Sequence, residues 1–145
     1  MSAPLAMSSD DVMRFMSEAF PQAGHLKLTV ERLETTSLRV RLAIDDANLR
    51  PGGTVSGPTL MWLADAGFYM LVLARLGAGA ALAVTSNLNI SFLRKPEPSD
   101  VVAEIRFLKL GRKLSVGDVT MFSVGGEEPI AHCTLTYAMP SGLVK

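Results

Sequence analysis

Residues 54–76 read TVSGPTLMWLADAGFYMLVLARL, a pattern that predicts one long helix, apolar on every side. Such a helix cannot lie on a surface, so the rest of the domain, or lipid, must wrap it. It carries one acid, Asp65, with no basic residue within a turn of it. A carboxylate taken out of water without a partner is costly, so an acid kept in such a helix has a task. The helix opens at Ser56-Gly57-Pro58, where Ser or Gly caps, Pro fits the first turn, and unpaired backbone N–H groups gather partial positive charge. Asp65 lies about two turns further in. An electrophile-activating amide at Gly57 and a catalytic carboxylate at Asp65 are therefore expected.

The flanking segments supply what this helix needs. Upstream, Ser8 or Ser9 followed by Asp10 and Asp11 makes a cap with first-turn acids. Val12, Phe15, Met16, Ala19 and Phe20 then recur at helical spacing up to Pro21, predicting a short amphipathic helix. Residues 26–34 and 37–45 alternate apolar and polar side chains, as two half-buried strands hinged at Thr35-Thr36 would. The turn formers in 45–57 predict an irregular loop. Downstream, 77–80 stops the helix, and three or four strands follow over 82–93, 100–110, 114–124 and 129–139, the last two joined by a hairpin turn at 125–128. An α+β arrangement satisfies this order: an antiparallel sheet of five or six strands wrapped around one long central helix, with a short N-terminal helix. Residues 1–145 form one domain, with 1–24 as arm and short helix and 140–145 as a tail. A sheet this small leaves open edges, and pairing them about a two-fold axis predicts a dimer or a dimer of dimers.

Composition narrows the partners. A chain of 145 residues is enough for one domain with a real core and too short for two ordinary ones. Fourteen basic and fourteen acidic residues cancel, leaving no general field to hold nucleic acid or an anionic membrane; an anionic partner must meet a local cluster. The single cysteine, Cys133, excludes an internal disulfide and a multi-cysteine metal site. The opening MSAPLAMSSDDVMRF lacks a basic stretch followed by an apolar run, so no secretory signal is expected and the cytoplasm is the default compartment. The central run approaches the roughly 20 residues of a membrane span, but Asp65 near its middle, Pro58 at its start and its amphipathic neighbours predict a soluble core.

The string Gly53-Thr54-Val55-Ser56-Gly57-Pro58, followed by Leu63-Ala64-Asp65 in this element order, resembles the hotdog-fold acyl-CoA thioesterases of the phenylacetate-pathway (PaaI-like) branch over residues 25–139. That branch usually shows Gly-Thr-Val/Leu-His-Gly-Gly with an acid on the following helix. Here Ser56 stands for the His and Pro58 for the second Gly. The resemblance implies hydrolysis of acyl-CoA or aroyl-CoA thioesters to CoA and a carboxylic acid. In it the Gly57 N–H polarises the carbonyl and Asp65 attacks the carbon or activates water, the two coming from opposite subunits. It also implies that Thr85 positions the water, and that Asn48 or Arg50 stands near the place of a supporting Asn. The CoA phosphates would be met by Arg94, Lys95, Arg112 and Lys113, although such charge pairs also mark any solvated strand end. Coenzyme A is part of the substrate, so no separate cofactor is expected, and no metal.

Plainer readings stand beside these. Ser56 is a nucleophile or an ordinary helix cap; no His is placed to activate it, so the cap is expected. Thr85 binds water or is a satisfied strand hydroxyl. Asp65 is catalytic, or bonds only to backbone or a dimer mate. His25 and His132 read as scaffold residues and Cys133 as a small core residue. Met61, Trp62, Phe68, Tyr69 and Met70 read as core or dimer contacts, some of them lining an acyl tunnel. Gly67 with Ala64, Ala66 and Ala74 lets strands approach the helix closely. Two other functions compete. One is a hotdog hydratase or dehydratase, which needs a His paired with an acid. The other is a non-catalytic acyl-CoA binding protein, which the departures at Ser56 and Pro58 would suit.

Overall fold

The computed structural model describes residues 4–21 and 27–142; His25, expected to open the first strand, lies outside the described residues. The central helix, α2, runs Gly57–Leu76. Ser56, extended at φ −70° and ψ 150°, accepts from Thr59 N–H through its Oγ, and Pro58 occupies the first turn. Gly77 ends the helix at φ 85°, a backbone that a side chain would strain.

The remaining elements follow the predicted order. Helix α1, Ser9–Ala19, has Ser8 as its cap, and Asp11 completes a reciprocal capping box. Strands β1 (Lys27–Leu33) and β2 (Ser37–Ala43) form the first hairpin. The loop predicted over 45–57 is more ordered than its composition suggests: it holds a 3-10 turn at Asp46–Asn48 and a short ladder between β3 (Leu49–Arg50) and β4 (Thr54–Val55). After α2 a second 3-10 turn, Ala78–Leu82, leads into β5 (Val84–Phe92), β6 (Val101–Leu110), β7 (Leu114–Ser123) and β8 (Ala131–Ala138).

Six of these strands make one sheet in the order β1-β2-β6-β7-β8-β5, antiparallel throughout. Alternation gives it two unlike faces. Toward α2 point Val101, Ala103 and Ile105 of β6, Val119 and Met121 of β7, and Cys133, Leu135 and Tyr137 of β8, all buried. Away from it point Arg39, Glu104, Arg106, Asp118 and His132. The helix presses closely on the inner face. A Cβ at Gly67 would lie 2.6 Å from Ile105 Cδ1, and one at Gly117 would lie 2.2 Å from the Phe68 ring. Gly117 is thus the notch that seats Phe68.

One expectation needs correcting. Helix α2 is not sheathed on every side, because the sheet embraces only one of its faces. Leu60, Leu63, Phe68, Leu71 and Leu73 are buried, whereas Met61 is 41% exposed and Trp62, Asp65 and Tyr69 are half-buried. Helix α1 covers part of that second face, and the chain before it is tied down where Ala6 and Met7 N–H groups donate to Ala74 O. The uncovered remainder of the face carries Asp65.

Candidate active site

Asp65 stands on the open face of α2 at the wall of a cavity of about 400 Å³, lined by apolar side chains of α1 and α2 together with Thr85 and Tyr137. Its carboxylate Oδ1 accepts from two hydroxyls, Thr85 Oγ1 at 2.8 Å and Tyr137 OH at 2.7 Å. The same tyrosine hydroxyl lies 2.8 Å from the Asp65 main-chain carbonyl. The expected unpaired acid therefore has partners, but among the described residues they are neutral. They orient the charge without cancelling it.

Strand irregularity brings Thr85 there. Leu88 and Ile90 face the helix, since they pair with the inward Leu135 and Cys133, and strict alternation would turn Thr85 to the other face. A bulge between Thr85 and Asn87 shifts the register, reversing the alternation and setting Thr85 opposite Tyr137 on the inner face. Tyr137, which sequence reasoning passed over, is 2% exposed and stands edge-on to Phe68 with ring centroids 4.8 Å apart. Its one signal was chemical: a tyrosine on an apolar strand face must find a partner for its hydroxyl. Burial, and then the neighbouring Asp65 carboxylate, push its phenol far above the usual range, so it remains a donor.

Gly57 belongs to a different cavity. At the start of α2, Pro58 has no N–H, the Thr59 N–H goes to Ser56 Oγ, and the Leu60 N–H goes to Ser56 O. Among the described residues the Gly57 N–H meets no acceptor and is left to a ligand. The space beside it, about 610 Å³, is lined by Arg50, Thr54, Phe92, Arg94 and Lys95. A Cβ on Gly57 would come within 3.3 Å of the Phe92 ring.

The other candidates sort by place. Ser56 is the helix cap, its Oγ also 2.8 Å from Thr59 Oγ1. Asn48 is buried, and its Oδ1 accepts from Asp45 N–H while its carbonyl accepts from Ser56 N–H; it ties the loop to the helix start and lines neither cavity. Arg94 is partly committed, to Glu128 at 3.0 Å and Pro129 O at 2.9 Å. Arg112 and Lys113 are exposed and sit at the opposite end of the sheet from Arg94 and Lys95. The Lys113 carbonyl accepts from Met139 N–H, and Leu114 and Val84 both pair with Ala138, which puts this pair at the Thr85 end. Burial and the nearby Asp65 charge push the Cys133 thiol up to about 12, leaving it an inert core group. His132 points outward and meets Asp118 at 3.1 Å, away from both cavities. Among the described residues no cluster of three His, Cys, Asp or Glu side chains could hold a metal ion.

Comparison with known proteins adds to this geometry. The model of the thioesterase superfamily matches residues 52–130. A solved structure described as a candidate thioesterase from Silicibacter sp. TM1040 is 43% identical, with a TM-score of 0.88 over 97% of this chain and 96% of that one. A phenylacetic acid degradation-related protein from Ralstonia eutropha JMP134 is 28% identical, with a TM-score of 0.76 over 88% of this chain and 98% of its own. A thioesterase from Haemophilus influenzae shares 17% identity and a TM-score of 0.84 over 97% and 96% of the two chains, a likeness of fold. No curated protein matches the chain.

Proposed function

Because this chain belongs to the thioesterase superfamily, with a hotdog fold and thioester hydrolysis as its coarse chemistry, we propose that it cleaves acyl-CoA or aroyl-CoA esters at a site shared between two copies. One observation carries the shared site: Gly57 and Asp65 open into different cavities. Eight residues of helix separate them by about 12 Å along the axis, whereas an oxyanion donor must lie within about 3 Å of the reacting carbonyl. One chain's pair cannot act on one thioester.

A two-fold pairing removes the difficulty. Strand β5 is one of the two sheet edges, and the apolar residues at and before its ends are open to solvent, Leu82 at 81%, Val84 at 60% and Phe92 at 53%; such an edge invites another strand. Antiparallel pairing of β5 with its copy sets the Phe92 end, which carries Gly57, against the partner's Thr85 end, which carries Asp65. Arg94 and Lys95 would then share one rim with Arg112 and Lys113 of the other copy, where CoA phosphates need cations, and Arg50 lies beside the Gly57 amide. The Asp65 cavity suits the acyl group, being apolar and within the roughly 300–1,000 Å³ usual for small ligands. Its tyrosine hydroxyls are spent on Asp65 and, for Tyr69, on Ala81 O.

The chemistry follows from these placements. In the general-base form, Asp65 takes a proton from water as the water oxygen bonds to the carbonyl carbon, and the C=O pair moves onto the oxygen facing the Gly57 N–H. When that oxyanion collapses, the C–S bond breaks, the thiolate leaves, and the proton returns from Asp65 to sulfur. Thr85 donates to Asp65 and keeps lone pairs for the water's second hydrogen.

Thiol release from a panel of CoA esters tests the activity, and mixed dimers test the shared site. Asp65→Asn should lose at least about 10²-fold, the usual share of a general base. Gly57→Pro deletes the donor, with a Cβ that the Phe92 ring 3.3 Å away must accommodate, and the extended Ser56 already suits a following proline. Each variant alone should be inactive, while co-assembled chains should regain roughly a quarter of wild-type activity, one intact site in each mixed dimer. No regain, or Asp65→Asn within about tenfold of wild type, would overturn the proposal, as would tight CoA-ester binding without turnover.

A further inference from the structure

We propose that Tyr137 is a positioning residue for Asp65: with Thr85 it occupies carboxylate oxygen Oδ1, so that Oδ2 is the oxygen presented to water or to the thioester carbon. This rests on the thioesterase reading for its consequence, although not for its geometry. Both hydroxyls converge on one oxygen, at 2.7 and 2.8 Å. A carboxylate oxygen offers two lone-pair sites, so Oδ1 is full. Among the described residues Oδ2 has no hydrogen-bond partner, and the cavity begins at this side chain.

Tyr137 is well built for the task. A carboxylate on a bare helix face can rotate about two torsions, and each misaligned rotamer removes it from attack geometry. The Tyr137 hydroxyl lies between Asp65 Oδ1 and the Asp65 main-chain carbonyl. It therefore registers the side chain against its own helix. Its ring cannot wander, held edge-on against Phe68, which Gly117 seats in the sheet. Cross-strand pairing of Thr85 with Tyr137, made possible by the bulge after Thr85, delivers the second donor from the neighbouring strand. The phenol stays protonated at any working pH, so the donor is permanent.

Tyr137→Phe removes one oxygen and keeps the ring. The expected result is a kcat lowered about tenfold, the scale of one hydrogen bond to a charged group, with KM changed less than about twofold because substrate contacts remain. Deprived of that donor, the Asp65 carboxylate should leave its single orientation, which a crystal structure of Tyr137→Phe reads without any substrate. An unchanged kcat with an unmoved Asp65 carboxylate overturns the proposal, and so does a kcat that falls only in step with thermal stability while the carboxylate stays in place. Should the wild type release no thiol from any CoA ester, the thioesterase reading falls, while a displaced Asp65 carboxylate in Tyr137→Phe still upholds the positioning.

Discussion

Two carboxylates lie on opposite sides of the sheet, and each is held by two other residues. Asp118, on the outer face of β7, takes a two-pronged grip from Arg106, at 2.7 and 3.1 Å, and a third contact from His132 at 3.1 Å. Asp65, above the inner face, has only the hydroxyls of Thr85 and Tyr137. Burial works against the Asp118 charge, but the Arg106 and His132 hydrogen bonds outweigh it, and its carboxyl stays below the usual range. An acid so paired has both oxygens occupied and its charge answered. Hydroxyls do neither: they fix an orientation and leave a charge and one free oxygen. The difference is the one that the proposed role of Asp65 in chemistry, and of Asp118 in the fold, requires.

Strand β7 links the two sites through adjacent residues, which makes Gly117 the sharpest way to test whether they are independent. A Cβ there would meet the Phe68 ring at 2.2 Å and the Arg106 carbonyl at 2.7 Å. The ring can be pushed but the backbone cannot, so Gly117→Ala should cost about 2–3 kcal/mol as overpacking, read by thermal or urea unfolding. The displaced Phe68 would tilt Tyr137 as well, so thiol release should fall further than the unfolded fraction explains. An unchanged melting temperature would show that Phe68 is not held by this notch and that the support of Asp65 runs elsewhere.

How much of this was legible beforehand follows from which information is local. Helix α2, its Ser56 cap and the eight-residue spacing of Gly57 and Asp65 are short-range features, and they read directly. So do the six strands of the main sheet, whose observed ends fall within about two residues of the predicted runs, the usual precision of boundaries; the short β3–β4 ladder does not. The face of Thr85 is different. Counting back from Ile90 and Leu88 turns it outward, and only the bulge against β8 reverses it. Tyr137 and the Arg106–Asp118–His132 cluster were hidden for a related reason: their partners stand on other elements, and strand order and register are set by the whole sheet. The exposure of α2 was underestimated because its composition is apolar all round, while a single sheet covers only one side.

Asp118→Asn probes the comparison at smaller amplitude, because two-thirds of the Arg106 side chain is exposed and water screens its half of the pair. The sign follows from linkage. The Asp118 pKa is depressed in the folded chain, so the pair's contribution is present above the unfolded value of about 3.9 and is lost as pH falls through the folded one. Wild type should therefore be the more stable at pH 7, by less than the Gly117→Ala loss, and the gap should close below about pH 4. Thiol release should be unaffected near neutrality. A gap that persists at low pH, or an activity loss comparable to Asp65→Asn, would erase the distinction between the two acids.

The smallest effect concerns a third polar group. Ser115 is fully buried on the inner face of β7, paired across the strands with Tyr137. Its Oγ meets no hydrogen-bond partner among the described residues. The two neighbouring hydroxyls thus differ in what they do for the fold. Tyr137 has an anion to donate to, whereas Ser115 bears the cost of desolvation with nothing in return. Ser115→Ala removes that cost and keeps the Cβ, so it should stabilise the protein by about 1 kcal/mol, the scale of an unsatisfied buried hydroxyl. Urea unfolding measures it. A loss of stability instead would mean that Ser115 holds a buried water, extending the hydroxyl network around Asp65 by one more member.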